Sequence, residues 1–249
     1  EKDRTDKLIR YIHHCQESNI PVDPPDINES DRDFTVCSHR IRFGMAAVKN
    51  IGEAAVESIL AAREAGGPFR TMYDFSSRVD LKKVHRRVIE SLIKAGAFDS
   101  LSEGRRAALL HASGDAVERA GRMQAEKESS QANLFELGLT DQASPLHESA
   151  FELPEVEEWP LPVRLDYEKE VLGFYLTGHP LKEYEEELSR VGVLSTRDLL
   201  DAGDGNDVSV GGFVASRRET QTKKGDRMAF LTLEDVYGRV DVIVFPDVY

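Results

Sequence analysis

Hydrophobic positions divide this chain into a long helical part and a shorter part that is rich in strands. A helix is predicted over residues 3–18 by apolar side chains at helical spacing, namely Leu8, Ile9, Ile12 and Cys15. Further helical patterns cover residues 45–65, 72–78, 85–95, 105–127, 167–172 and 181–191, and glycines or prolines close several of them. Apolar and polar residues alternate over residues 33–42, 208–214, 228–234 and 240–245, which predicts short strands.

A polar stretch separates the two parts. Residues 128–159 contain many glutamates and the prolines Pro145 and Pro154, and no hydrophobic period persists through them. This composition is typical of a linker, because it offers too little apolar surface to form a core of its own.

Composition places the chain among globular proteins, and its charge is unevenly spread. It has 249 residues, 40% of them hydrophobic, which suffices for one to three domains. The net charge of −13 argues weakly against nucleic acid. However, residues 41–98 carry ten basic and six acidic side chains, whereas residues 144–205 carry five basic and fifteen acidic ones. Because the local field governs contact with phosphates, the basic stretch remains compatible with DNA binding.

Other simple features narrow the class of protein. No apolar run approaches the ~18 residues of a membrane span, and no signal peptide opens the chain. Cys15 and Cys37 stand far apart without a CxxC pattern, which favours a reduced, cytoplasmic setting. The sequence starts at Glu1 within a helical pattern and stops at Tyr249 just after a strand pattern. We therefore expect a piece of a longer protein.

The first motif with chemical content is a tight turn that interrupts the second helical pattern. Val48 and Ile51 flank Asn50, and Gly52 precedes the next helix, an order that resembles a helix-hairpin-helix. Such turns expose backbone N–H groups at a helix start, where the amides and the helix dipole attract a phosphate oxygen. Asn stands where the motif usually has its first glycine, and Asn tolerates the left-handed conformation. The candidate DNA-binding residues are Lys49, Asn50, Ile51 and Gly52, and the alternative is an ordinary helical hairpin.

A second, basic turn precedes the helical pattern of residues 85–95. Cations at a helix start oppose the helix dipole, so a bound phosphate explains them better than solvent does. The alternative is a solvated, positively charged helix start. Two such hairpins in tandem form a known unit that holds duplex DNA across the minor groove without reading its sequence. The second turn adds the candidate DNA-binding residues Lys82, Lys83, His85, Arg86 and Arg87.

A short apolar pair lies within the polar linker. Leu134 and Phe135 follow Gln131, and a segment without a core has nowhere to bury such side chains, so we expect them to dock on a partner. The pattern Gln-x-x-Leu-Phe resembles the peptide by which bacterial proteins bind the sliding clamp. The alternative is a short helix that packs Leu134 and Phe135 on its own protein.

The last three strand patterns resemble the beginning of an OB-fold, a five-stranded barrel that binds single strands. With about three strands the barrel would be incomplete. Phe213, Phe230 and Tyr237 are either stacking faces for bases or part of a core. Candidates for single-strand binding are the basic residues on or near the first hairpin, namely Arg217, Arg218, Lys223, Lys224 and Arg227.

The sequence offers no catalytic or metal-binding residues. It contains no carboxylate triad of the polymerase palm type, and the consecutive Glu185, Glu186 and Glu187 are best interpreted as a solvated helix face. His13, His14 and Cys15 have no partner pair at metal-site spacing.

Several longer segments resemble the C-family bacterial replicative DNA polymerases, the DNA polymerase III alpha subunits. In chain order they are residues 24–28 (PPDIN), 41–49 (IRFGMAAVK), 91–99 (SLIKAGAFD), 168–175 (EKEVLGFY), 178–181 (GHPL), 233–235 (LED) and 244–246 (VFP). They follow the order of that family over nearly the whole chain, so together they are far more specific than any one motif.

The resemblance implies a multi-domain fold: an α-helical tandem helix-hairpin-helix, a linker, a small helical segment and the first strands of an OB-fold β-barrel. The implied domains are the end of the fingers domain (1–40), the tandem helix-hairpin-helix (41–112), a helix and flexible linker with the clamp-binding peptide (113–160), a helical connector (161–205) and the N-terminal part of the OB-fold (206–249).

The resemblance also implies a function for the parent protein, DNA-directed DNA synthesis in chromosomal replication. Its catalytic palm, with Mg²⁺, would lie upstream of this chain, which would be inactive alone and hold no cofactor. The implied partners are duplex DNA, single-stranded template, other replicase subunits and the sliding clamp (beta subunit), which Gln131, Leu134 and Phe135 would contact. Two alternatives stay open: a non-catalytic DNA-binding or repair protein with the same modules, and an error-prone polymerase of the same family.

Overall fold

The computed structural model describes residues 2–137 and 153–249, which fall into two compact units, Glu1–Thr177 and Gly178–Tyr249. In the first unit the elements are α1 (Lys2–Glu17), β1 (Val22–Asp23), β2 (Thr35–Cys37), β3 (Arg40–Arg42), a 3₁₀ turn (Met45–Ala47), α2 (Glu53–Gly66), α3 (Met72–Arg78), α4 (Arg86–Lys94), α5 (Asp99–Ser102), α6 (Arg106–Leu137) and α7 (Leu161–Leu172). Within these described ranges, no helix is long and apolar enough to cross a membrane.

The main core of the first unit lies between α2, α3, α4 and α6. Helix α4 buries one side completely, which consists of Val88, Ile89, Leu92 and Ile93, and leaves its basic start in solvent. Phe75 packs edge-on against Phe69 and Phe98, with ring centroids 5.0 Å apart in both pairs. The helical patterns predicted over residues 72–78 and 85–95 are confirmed to within one residue at each end.

A second, smaller core joins α1, the small sheet and α7. Strand β3 pairs in parallel with β1 and antiparallel with β2, so the pattern of residues 33–42 yields two strands. The buried side chains of this second core are Ile12, Phe43, Val48, Ala95, Val171, Leu172, Phe174 and Leu176. They come from residues widely separated in the sequence.

The second unit contains a three-stranded antiparallel sheet, β4 (Phe213–Gln221), β5 (Arg227–Glu234) and β6 (Arg239–Val244). It is preceded by a 3₁₀ turn (Pro180–Tyr184), α8 (Glu185–Arg190) and another 3₁₀ turn (Asp198–Asp201). The first hairpin turns through Gly225, whose φ of +93° suits glycine. This meander is consistent with a partial OB-fold.

Strand β4 begins later than the sequence pattern predicts. The pattern places a strand over residues 208–214, but among these only Val210 pairs before Phe213, through an isolated bridge to Leu194. Gly211 lies so close to Leu188 that a Cβ there would be 2.8 Å from the leucine Cδ2. The alternation of apolar and polar residues around Gly211 and Gly212 therefore reflects close packing rather than a continuous strand.

The stretch expected to be a linker is partly ordered. Helix α6 continues to Leu137 instead of ending near residue 127, because residues 128–137 contain neither glycine nor proline. Residues 153–172, hereafter the returning segment, belong to the first unit. Leu153 and Trp159 pack against the main core, so these two apolar residues anchor a segment whose composition is otherwise that of a linker.

Candidate nucleic-acid interface

The first hairpin turn has the backbone that the sequence predicts. Asn50 has φ +67°, so it occupies the left-handed position that glycine usually fills in this motif. The helix before the turn is reduced to the single 3₁₀ turn Met45–Ala47. Gly52 then begins α2 from an extended conformation, with no side-chain cap.

The start of α2 presents free backbone donors. In the part of the chain that the structure describes, the amides of Gly52, Glu53 and Ala54 donate to no protein acceptor. A Cβ at Gly52 would meet nothing within 4 Å, and its φ of −83° is open to any residue. The fold therefore does not require glycine there, whereas close approach of a phosphate does. The Glu53 carboxylate beside this start is paired with Arg32 at 2.6 Å.

The second turn repeats the arrangement without glycine. The carbonyl of Asp80 accepts the amides of Lys83 (3.0 Å) and Val84 (2.8 Å), and buried Val84 anchors the turn. His85 precedes α4 without a side-chain cap. Within the described ranges, the amides of His85, Arg86 and Arg87 have no protein acceptor either. Both hairpins thus offer exposed amides at a helix start.

The cations of the second turn are exposed but not equally available. Lys83 lies 3.8 Å from Asp80, and Arg86 donates to Glu90 at 2.7 Å. Lys82 and Arg87 form no ion pair with any residue that the structure describes. They are therefore the side chains best placed to neutralise phosphates directly.

The turn of the first hairpin is linked to α4 and to α7. The Asn50 side chain donates from Nδ2 to the Ser91 Oγ on α4 at 3.1 Å. The amide of Lys49, whose side chain is exposed, donates to the carbonyl of Val171 on α7 at 2.8 Å. Ile51 is half-buried and packs against both cores, so its side chain supports the turn and only its backbone is suited to face DNA.

The basic residues of the second unit do not form a single row. Arg217 and Arg218 are adjacent on β4, so they lie on opposite faces of the sheet. Arg217 pairs with Glu219 and contacts the Tyr249 hydroxyl at 3.3 Å, whereas the Arg218 guanidinium lies 5.1 Å from the centroid of Phe230. The remaining three candidates are exposed in the hairpin or beside it, namely Lys223, Lys224 and Arg227.

The residues expected to bind the clamp lie on the last turns of α6. The backbone of Gln131, Leu134 and Phe135 is helical, and their side chains lie outside the described residues. No group of three His, Cys, Asp or Glu that could hold a metal occurs among the residues that were placed.

Sequence reasoning missed a buried polar group that supports the hairpins. Arg106 is 2% exposed, donates to Asp99 at 2.6 Å and to the Lys94 carbonyl at 3.3 Å. Its guanidinium fills the space beside Gly96, where a Cβ would be 2.2 Å from the Arg106 Nη2. No local pattern marks this arginine, because its partners come from the preceding helices.

Glu168 is a second buried group that the sequence does not reveal. Its carboxylate accepts the amides of Leu176 (3.0 Å) and Thr177 (2.9 Å) and the Thr177 hydroxyl (2.8 Å). Burial raises the pKa of Glu168 above its ordinary 4.5, and the hydrogen bonds and Arg106 oppose that rise. Glu168 therefore holds the residues that follow α7 against that helix.

Comparison with known proteins agrees with this geometry. The family model of the helix-hairpin-helix motif matches residues 19–108, which include both turns. The first unit therefore contains a helix-hairpin-helix motif, and DNA binding is the class of function that this motif supports.

The comparisons also identify a particular family. The chain is 38% identical over 248 residues to the DNA polymerase III subunit alpha of Vibrio cholerae, which covers 99% of the chain and 21% of that protein. It is 36% identical to the same subunit of Escherichia coli K12 over 249 residues, with 99% and 21% covered, and 37% identical to that of Pasteurella multocida, with 98% and 21% covered. The chain belongs to the DNA polymerase III alpha subunit family, and it spans about a fifth of the length of these relatives.

Proposed function

We propose that this chain is the part of a bacterial replicative DNA polymerase that holds the duplex. The observation that carries this proposal is the pair of exposed helix starts at Gly52 and Arg86, each with unpartnered amides. Amides at a helix start bind phosphate oxygens irrespective of base sequence, so the grip would be non-specific. Lys49, Lys82 and Arg87 would add charge neutralisation.

The activity of the parent protein would be template-directed DNA synthesis in the bacterial cytoplasm. Relatives of this family bear the name DNA polymerase III subunit alpha, and the chain corresponds to about a fifth of each. We propose that the Mg²⁺-dependent palm lies outside these residues, and that this part binds DNA but does not catalyse the reaction.

Tethering to the sliding clamp is the second element of the proposal. Gln131, Leu134 and Phe135 have the spacing i, i+3 and i+4, which places them on one side of a helix such as α6. A side with two large apolar residues suits docking into a hydrophobic pocket. Single-stranded template would bind the second unit, on the face that bears Arg218 and Phe230.

Duplex binding by the whole chain tests the proposal. We expect weak, sequence-independent affinity, measured by fluorescence anisotropy at several salt concentrations. Replacing Arg86 and Arg87 by alanine should lower the slope of log affinity against log salt by roughly 1–2, since each phosphate contact contributes about 0.9. The matched control removes two exposed cations of α1, Lys7 and Arg10. Equal slopes in the two double variants would contradict the assignment.

A further inference from the structure

The returning segment contacts both hairpins although the helix-hairpin-helix match ends at residue 108. Lys49, in the first turn, donates its amide to the Val171 carbonyl at 2.8 Å. Lys94, at the end of the second hairpin helix, donates to both carboxylate oxygens of Glu170, at 3.0 and 2.8 Å. One turn of α7 therefore touches one hairpin through Val171 and the other through Glu170.

Further contacts fix the direction of this segment. The Lys94 ammonium lies 4.5 Å from the centroid of the Tyr167 ring, and that ring packs against Trp159 with centroids 4.6 Å apart. Glu158 accepts the amide of Ala107 at 3.1 Å, near the start of α6. The segment is thus attached through Glu158 to the start of α6 and through Tyr167 to the end of α4.

The apolar end of α7 fills the space between the hairpins. Val171 and Leu172 lie in the second core together with Val48, which precedes the first turn, and Ala95, which follows α4. Among the described residues, two hydrogen bonds join the hairpins directly, from the Asn50 side chain to the Ser91 hydroxyl at 3.1 Å and from the Asp80 amide to the Ser58 hydroxyl on α2 at 2.9 Å. Helix α7 adds to the restraint that these two bonds and the packing of α2, α3 and α4 in the main core place on the two turns.

Two phosphate-binding turns cooperate only when their spacing is held fixed. If one turn moves relative to the other, phosphate binding at the first turn no longer places the second turn on a phosphate. Ordering the second turn then costs conformational entropy each time DNA binds. We propose that the returning segment is a third element of the DNA-binding module, and that Glu170 is a positioning residue that acts through Lys94 and α4. This inference rests on the duplex binding proposed above.

Charge reversal at Glu170 in the whole chain tests the positioning role. Glu170 is 55% exposed in its side chain, so Glu170→Lys should leave the protein folded while it repels Lys94. The matched control is Asp166→Lys, because Asp166 is exposed on the same helix and gives the same change in net charge. Relative to this control we expect duplex affinity to fall about fivefold or more, and the salt slope to fall by about 1–2 as the second hairpin disengages. The exchanged pair Glu170→Lys with Lys94→Glu should recover most of both losses.

Hydrogen exchange of the Lys49 amide reports on the same contact without DNA. This amide should exchange faster in Glu170→Lys than in Asp166→Lys, since its acceptor is on α7. Equal DNA affinity and slope in these two variants would overturn the positioning role, whatever the exchange rates. So would failure of the exchanged pair to recover binding. If the unchanged protein itself binds no duplex, the proposed function fails first, and the exchange rates then show separately whether α7 restrains the turn.

Discussion

Asn50 and Gly52 have different roles within one turn. Asn50 takes the left-handed backbone and uses its side chain to contact Ser91. Gly52 has an ordinary φ and an empty space where a Cβ would be. The fold therefore does not require glycine at position 52, and this distinction allows the proposed DNA contact to be tested at a single position.

Gly52→Ser should separate folding from binding. Serine is a favoured residue at a helix start, so the temperature of unfolding should stay equal or rise. The added side chain would stand between the amides and a phosphate, and we expect duplex affinity to fall about threefold or more, since one phosphate contact is weakened. Calorimetry and anisotropy measure the two quantities. A variant that binds duplex as well as the unchanged protein would remove Gly52 from the interface.

Glu168 makes a pH-dependent contribution to stability. Its pKa is raised in the folded state, so the folded state binds the proton more tightly than the unfolded chain does. The contribution is complete below the ordinary pKa of 4.5 and is lost as pH rises through the folded value. Glu168→Gln removes this term, so the unfolding free energy of the variant minus that of the unchanged protein should increase with pH above about 4.5.

Chemical denaturation at a series of pH values measures that difference. Asp166→Asn is the control, because Asp166 is exposed on the same helix. A difference that does not change with pH would mean that the hydrogen bonds from Leu176 and Thr177 balance the cost of burial, and a difference that decreases with pH would mean that they outweigh it.

Helices α4 and α6 differ in how well the sequence pattern predicts their length. The α4 pattern sufficed to predict a helix with a buried side and a basic start, because its period is local. The length of α6 was underestimated, since a polar helix of 32 residues lacks a hydrophobic period along its second half. This extension changes the setting of the proposed clamp-binding residues from an irregular linker to a helix.

The clamp proposal can be tested on that helical end alone. A peptide of residues 129–137 should bind the cognate sliding clamp with modest, roughly micromolar affinity. Burial of Leu134 and Phe135 would contribute about 1.5–3 kcal/mol each, and ordering the peptide costs about 1–2 kcal/mol per residue. Modest affinity suffices when both proteins already sit on one DNA. Isothermal titration calorimetry measures the binding.

Two peptide variants make this test specific. Alanine at both Leu134 and Phe135 should abolish the signal, whereas alanine at Leu137, outside the pattern, should leave it. Equal loss of clamp binding in both variants would indicate non-specific hydrophobic binding. No binding by the unchanged peptide would indicate that Leu134 and Phe135 pack on their own protein.

At the scale of the whole molecule, the packing of the first unit extends beyond the residues that match the helix-hairpin-helix motif. The returning segment supplies Val171 and Leu172 to the second core and places Trp159 against the main core. A piece ending near residue 112, the boundary implied by the resemblance, would expose these contact surfaces. Each large buried side chain lost would cost about 1.5–3 kcal/mol, which together is comparable to the stability of about 5–15 kcal/mol that is typical of a domain.

Two truncations test this boundary. A chain of residues 1–177, which corresponds to the first compact unit, should unfold cooperatively and keep the duplex salt slope of the whole chain. A chain of residues 1–137 should lose both properties. Thermal unfolding by circular dichroism and anisotropy titrations would detect this. Cooperative unfolding of the shorter chain at an unchanged temperature would show that the returning segment is dispensable.

The sequence alone determined the features that depend on neighbouring residues. The left-handed Asn50, the amphipathic α4 and the family resemblance all follow from local patterns or from motif order. Only the tertiary structure decided which distant residues meet. Arg106 with Asp99, Glu168 with Thr177, and Lys94 with Glu170 are pairs whose partners no periodicity connects. Burial and spacing between helices arise from packing, and the returning segment became part of the module because its few apolar residues complete two cores.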